Sequence, residues 1–331
     1  MIQLGLPPLF ALSSVASGWE NRIHRKGISM TVDRVIIPCQ HRRTALEAHA
    51  PPAARVSSGA IVEFQTSDEP YELLARGMPL EALSLERFNK VTGPLAIIGA
   101  RPGQVLRIDI LDIIIERAWL VSLRGFGPLG HLLEESRCEA VTLLDGTLTI
   151  SERLRIPVQP SIGCIGLAPE RGVSSTFRPV WPWGGNLDLV ELGPGSTIWL
   201  PVQRPEAYLY IGDVHAAIGA GEPAHVGIEA AARVIVRTTV DPEVRCRAPR
   251  IRTGHTLLLV GVGPTFSTAQ QHALQQAMEV LRTEFALTQR EAYAYACACL
   301  SYRFGGPAGP VVLVELPLQP LSHSSGMRTP S

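Results

Sequence analysis

Charge of one sign is the first thing this sequence lacks. Thirty Lys and Arg balance thirty Asp and Glu, so no long-range field draws the chain onto nucleic acid or an anionic membrane. Long apolar runs are absent too: none reaches the roughly 18 residues of a membrane span. The six cysteines (Cys39, Cys138, Cys164, Cys246, Cys297, Cys299) contain no Cys-x-x-Cys pair and no zinc-finger spacing. They read as free thiols in a reducing compartment. Cys297 and Cys299 stand two apart on an expected helix, point in different directions and do not bridge. No G-x-S-x-G serine elbow occurs, and Gly261-x-Gly263 lacks the third glycine of a dinucleotide loop. Aromatic residues make up only 6%, which gives no hint of a large aromatic pocket. The classes left standing act on a small substrate recognised locally.

What is present describes a compact protein. The chain has 331 residues, 46% apolar and 18% charged, enough to bury a sizeable core. Leu4 to Ala16 is apolar but no Lys or Arg precedes it, so the positive part of a secretory leader is missing. Met30 reads as a more natural start, followed by a first strand from Thr31 to Ile37. Residues 1–29 are expected to be a disordered extension and residues 321–331 a frayed, disordered tail.

Most of the chain between them speaks β. From Gln104 to Asp112, Leu106, Ile108 and Ile110 alternate with Arg107 and Asp109, the period of a half-buried strand. Arg233 to Val240 and Val311 to Leu316 are similar β-branched runs, and 30 Gly and 27 Pro supply turns between short strands. Near the C-terminus Ser267-x-x-Gln270 and Thr288-x-x-Glu291 both fit helix capping boxes. Leu274, Ala277, Met278, Leu281 and Phe285 then follow at helical spacing, and an Ala-rich helix runs to about Leu300. The expected fold is mainly β, sandwich- or barrel-like, with an α+β C-terminal portion. A β-rich part spans residues 30–200 and an α+β catalytic part residues 201–320.

Two segments concentrate polar chemistry. In Gly212–Glu222, Asp213 and His215 are two apart, so in extended chain both side chains leave one face. Gly219 and Gly221 permit a tight turn that brings Glu222 back toward them. Two carboxylates and an imidazole can hold a divalent metal or poise a water. The alternative is a turn in which Asp213 caps a backbone amide and His215 is a satisfied core histidine. In Trp181–Asp188, Gly184 and Gly185 permit close backbone approach to a ligand, and Asn186 can both donate to and accept from an amide. Asp188, two beyond Asn186, can share its face. Read structurally, the same segment is a loop with a turn-forming Asn and a strand-opening Asp. Cys164, flanked by Gly163 and Gly166, is either a nucleophile or a small buried cysteine, and no base stands beside it in sequence.

Gly184-Gly185-Asn186-Leu187-Asp188, Gly195-Ser196-Thr197-Ile198-Trp199-Leu200-Pro201-Val202 and Gly212-Asp213-Val214-His215-Ala216 resemble successive core motifs of the acetamidase/formamidase family. Upstream matches keep the order: Ser58-Gly59 with Val62-Glu63-Phe64-Gln65-Thr66, Asn89-Lys90-Val91-Thr92-Gly93-Pro94, Gly99-Ala100-Arg101-Pro102-Gly103, and Ile162 to Pro169. Ile228-Glu229 and Arg290-Glu291-Ala292-Tyr293 follow downstream, so the resemblance runs from about Val35 to about Leu318. It implies a cytoplasmic, homo-oligomeric (dimeric) hydrolase of small linear amides such as formamide or acetamide, yielding a carboxylate and ammonia. It further implies a divalent metal, zinc before calcium, at Asp213, His215 and Glu222, with His41 in the place of an N-terminal family histidine. Those three residues carry the catalytic expectation, while Gly184, Gly185, Asn186 and Asp188 carry substrate binding. The chain departs from the family pattern at Ala220, where an acid is usual, at Pro223 and His225, and over Ser301–Pro307. His225 is either a replacement ligand or a loop residue. These departures motivate the alternative of a non-catalytic, metal- or ligand-binding relative.

Overall fold

The structure, a computed structural model, describes residues 34–180, 182–319 and 321. The expected extension and all of the expected tail except Leu321 lie outside the described residues, as do residues 31–33 of the expected first strand; Val35–Ile37 is extended as anticipated.

The alternation over 104–112 makes a strand that is much longer than the alternation itself, Val105–Ser122. It pairs along its length with Ile228–Asp241, antiparallel, with Ile108 opposite Thr238 and Trp119 opposite Glu229. Two long strands in one ladder satisfy their backbone groups with each other, so Asp109 and Arg107 can sit on the wetter face while Leu106, Ile108 and Ile110 go inward. The other runs behave similarly, and together the strands form a curled, mainly antiparallel nineteen-stranded sheet among the described residues. Its inner faces meet in one continuous core that includes Phe64, Ile108, Leu200, Leu209 and Val234. Strands from before and after residue 200 share this sheet.

The elements that carry the site are β1 (Ile61–Gln65), α1 (Glu69–Ala75), β2 (Val91–Ile97), β3 (Val105–Ser122), β4 (Ser161–Leu167), β5 (Gly184–Asn186), β6 (Leu209–Ala217) and β7 (Ile228–Asp241). Strand β6 runs between β4 on one side and two successive partners on the other. Its first half pairs with β2, ending at Gly212 opposite Val91, and its second half pairs with β7, beginning at Val214 opposite Ala230.

The C-terminal helices, α2 (Phe266–Thr283) and α3 (Gln289–Cys299), cover the outer face of strands Thr256–Val262 and Val311–Pro317. Ala269, Ala273, Ala277 and Leu281 form the buried stripe of α2, and Gly261 lets the helix backbone come close, because a Cβ there would meet Ala269 O at 1.9 Å. The capping box at Thr288 and Glu291 forms in both directions. The first cap is Thr265 rather than Ser267: Thr265 is the last extended residue and accepts from Thr268 N at 3.1 Å, while Ser267 is already helical and cannot cap. All six cysteines are free. Among the described residues no helix is long and apolar enough to cross a membrane.

Candidate functional site

The site begins where β6 changes partner. Between Gly212, paired to β2, and Val214, paired to β7, stands Asp213 with a φ of 54°. The change of partner leaves this residue outside both ladders, and its carboxylate lies over Gly163 of β4 and accepts from Asn89. Gly212 is required beside it, since a Cβ would meet Lys90 O at 2.2 Å. Asp213 and His215 do reach the same point, but through this left-handed kink and not through plain alternation.

His215 lies directly opposite Glu229 on β7. Side chains opposed across an antiparallel pair are close neighbours, and His215 Nε2 is 3.6 Å from Glu229 Oε1. Glu222 arrives from the turn after β6, closed by Glu222 N donating to Gly219 O at 2.9 Å, and its Oε1 lies 4.0 Å from His215 Nε2. Asp188 follows β5, its N–H donating to Gly163 O at 3.1 Å. Potential ligand atoms of Asp188, Asp213 and His215 lie within 4.8 Å of one another, as do those of His215, Glu222 and Glu229. His215 is the member common to both groups.

Amides and a phenol hold the acids in place. Asn89 Nδ2 donates to Asp213 Oδ2 at 2.9 Å and to Asn186 Oδ1 at 3.2 Å. Asn186 Nδ2 in turn donates to Asp188 Oδ2 at 3.0 Å, and Tyr71 Oη, from α1, donates to Glu229 Oε2 at 2.9 Å. Asp188, Asp213 and Glu222 all adopt positive φ (48°, 54° and 44°). That region is uncommon for residues other than glycine, and several such residues at one point mark backbone held against its preference by surrounding structure.

The electrostatics are one-sided. Asp188, His215, Glu222 and Glu229 are buried. Burial, then the charges of Asp213, Glu222 and Glu229, hold the Asp188 carboxyl well above the ordinary carboxylate range. Burial pushes Asp213 up to about 7, against the opposing pull of His215. Burial and then Glu229 push Glu222 up to about 8. Acids behave this way when desolvated together without a compensating cation. His215 Nδ1 is also buried without a hydrogen-bond partner. A buried imidazole and four carboxylates, short of positive charge and one hydrogen bond, are a donor set that fits a divalent cation.

The acids line a cavity of about 340 Å³. Of the residues singled out in the sequence, Asn186, Asp188, Asp213, His215 and Glu222 line it. Gly184 and Gly185 do not: the close approach they permit is to protein backbone, where Cβ atoms would meet Ile165 O at 2.3 Å and Arg178 O at 2.7 Å. His41 ends a short 3-10 turn, Cys39–His41, and joins neither group of acids. His225 lines the cavity with its ring edge-on to Phe126 at 6.1 Å, outside both groups. Ala220 is exposed and outside the lining, whereas Pro307 of the altered stretch stands in the wall. Sequence reasoning left Glu229, Asn89 and Tyr71 out of the site. A lone Glu in the apolar strand Ile228-Glu229-Ala230-Ala231-Ala232 was a usable signal; nothing local marks Tyr71.

Residues 174–307 match the model of the Acetamidase/Formamidase family. The family resemblance holds. The chain is similar to a recombinant predicted acetamidase/formamidase from the thermophile Thermoanaerobacter tengcongensis, with a TM-score of 0.79 and 26% identity over 86% of this chain and 95% of that one. An acetamidase from Bacillus halodurans has the same TM-score at 29% identity, over 86% of this chain and 98% of the other. A Schizosaccharomyces pombe protein provisionally named a formamidase is 24% identical over 225 residues, 49% of this chain. That match spans 54%, about half, of the yeast protein's length. The family stretch carries Asn186, Asp188, Asp213, His215, Glu222 and Glu229, while Tyr71 and Asn89 lie before it.

Proposed function

We propose that this protein is an amidohydrolase that cleaves a linear amide to a carboxylate and ammonia with the help of a bound divalent cation. The observation that carries the reading is the convergence of Asp188, Asp213, His215, Glu222 and Glu229 in the wall of one cavity, in a chain similar to acetamidases. In this reading Asp188, Asp213 and His215 hold the cation, zinc on account of the imidazole and calcium as the second choice on account of the carboxylates. The cation, when bound, supplies polarisation of the amide carbonyl and lowers the pKa of a nearby water.

Glu222 is the proton carrier. Its carboxylate lines the cavity 4.0 Å from His215 Nε2, beside the proposed cation ligands, and a carboxylate so placed takes a proton from water and returns it to the departing nitrogen. Glu229, gripped by Tyr71, orients His215. Asn186 gives one amide hydrogen to Asp188 and has a second with which to orient the substrate. Cys164 is a poor candidate for a nucleophile: it is fully buried, and burial followed by Asp213 and Asp188 pushes its thiol well above the usual range. The missing acid at Ala220 does not weaken the catalytic reading, because that position faces solvent outside the cavity.

Ammonia release from short primary amides, measured before and after chelation, tests the proposal. Release that stops with chelator, returns with a divalent ion and is absent in His215→Ala is the expected result. Unchanged turnover in His215→Ala would remove it.

A further inference from the structure

The cavity is much larger than the amides named by its relatives, and most of it is not polar. Acetamide has about four non-hydrogen atoms; at roughly the 30 Å³ share of one water each, it fills about a third of a cavity whose volume is about 340 Å³. The acids and the two asparagines, joined by hydrogen bonds and close contacts, form one polar patch of its wall. The remaining wall includes Leu80, Phe88, Leu123, Phe126, Phe177 and Val226.

Three of the eight phenylalanines therefore face one space, in a chain whose aromatic content is low. They come from separate stretches of sequence, and the rings of two of them pack against neighbours that also line the cavity. Phe88 packs tilted against Tyr71 with centroids 5.7 Å apart, and Phe126 stands edge-on to His225 at 6.1 Å. Phe126 is 38% exposed, so it is not simply filling core. Water in such a space finds few hydrogen-bond partners away from the acids, whereas a flat apolar group gains contact with several rings. Cavities of this size and character accommodate ligands larger than a two-carbon amide.

We infer that the amide cleaved here carries an apolar body of about aromatic-ring size, seated among Phe88, Phe126 and Phe177 with its amide group toward the acids. The inference rests on the amidohydrolase reading and narrows its substrate class. Water adds to the carbonyl carbon, the carbon–nitrogen bond breaks, and the proton from water leaves on the nitrogen. With the ring on the carbonyl side, the products are an arylalkyl carboxylate and ammonia. With the ring on nitrogen, they are formate and an amine.

The test compares kcat/KM for formamide, acetamide, phenylacetamide and N-benzylformamide on the full-length, metal-loaded protein, with calorimetric binding of phenylacetamide alongside. One methylene in an apolar pocket is worth roughly 10- to 200-fold, so at least one ring-bearing amide should exceed acetamide by about 100-fold or more; which one identifies the side of the amide that bears the ring. In Phe177→Ala the ratio of ring-bearing to small amide should fall about ten-fold or more. Equal or better turnover of acetamide would overturn the inference and leave the amidohydrolase reading intact. If no amide is cleaved yet phenylacetamide binds, and binds more weakly to Phe177→Ala, the ring-sized apolar subsite is real, but the hydrolase reading fails and takes the substrate inference with it. Neither turnover nor binding would remove both.

Discussion

Tyr71 Oη donates to Glu229 Oε2 at 2.9 Å, across 158 residues of sequence, while the other oxygen of that carboxylate lies 3.6 Å from His215 Nε2. The helix that carries Tyr71 and the strand that carries Glu229 thus meet beside the imidazole, and in the proposed mechanism this pair orients it. Outer partners of this kind commonly set the direction and basicity of the group they touch.

Tyr71→Phe should keep the ring packing against Phe88 and lose only the donated hydrogen bond. Hydrogen bonds to charged groups contribute about 1.5–3 kcal/mol, so activity toward any accepted amide should fall roughly 10- to 100-fold. Steady-state kinetics and a thermal melt check this together. Full activity in a folded variant would show that Glu229 needs no such support.

Gly163 has no room for a side chain. A Cβ there would meet Asp213 O at 2.6 Å and both Asp188 Oδ1 and Asp213 Oδ2 at 2.7 Å. Gly163→Ala should therefore displace two of the proposed cation-holding acids, together with the β6 backbone at Asp213. Metal content, measured by mass spectrometry on the purified variant, should drop about ten-fold or more. Wild-type metal content would mean that Asp188 and Asp213 do not hold the ion.

Stability should depend on pH in a direction opposite to that of ordinary salt-bridged acids. Asp213 and Glu222 are pushed up to about 7 and about 8 in the fold, while free carboxylates titrate near 4. Between these values the folded chain holds more protons than the unfolded one, so this contribution is complete below about pH 4 and is lost as pH rises through about 7 and 8. Chelator-treated protein should melt at a lower temperature at about pH 8.5 than at about pH 5.5, and a divalent cation should reverse the loss at the higher pH. A melting temperature that is flat across this range and insensitive to cations would contradict the picture of desolvated, mutually repelling acids.

Cys164→Ala should retain activity. The thiol is buried and held in its protonated form, so removing it costs packing and no chemistry. Activity within about three-fold of wild type, with a modest loss of stability of about 1 kcal/mol, is expected. Complete inactivation in a folded variant would return the cysteine to the mechanism.

The sequence by itself determined the features written in local spacing. The alternation of Leu106, Ile108 and Ile110 selected a strand, because period two is a property of neighbouring residues. Thr288 and Glu291 ended one segment and began a helix through bonds that reach only three residues. Asp213, His215 and Glu222 were legible as a cluster because ten residues and two glycines suffice to bring them near each other. Thr265 displaced Ser267 as a cap because where a helix begins depends on where the preceding strand lets go.

Tertiary structure decided the rest. Glu229 stands opposite His215 because β6 leaves β2 at Gly212 and takes up β7 at Val214, and no local pattern encodes that register. Asn89 and Tyr71 reach the acids from distant segments, and Gly184 and Gly185 serve strand packing where the sequence alone suggested a ligand. The three phenylalanines of the cavity wall are unremarkable one by one. Periodicity and capping are settled by a residue's neighbours along the chain, whereas a site is settled by which strands pair and in what register, and that follows from burying the whole core at once.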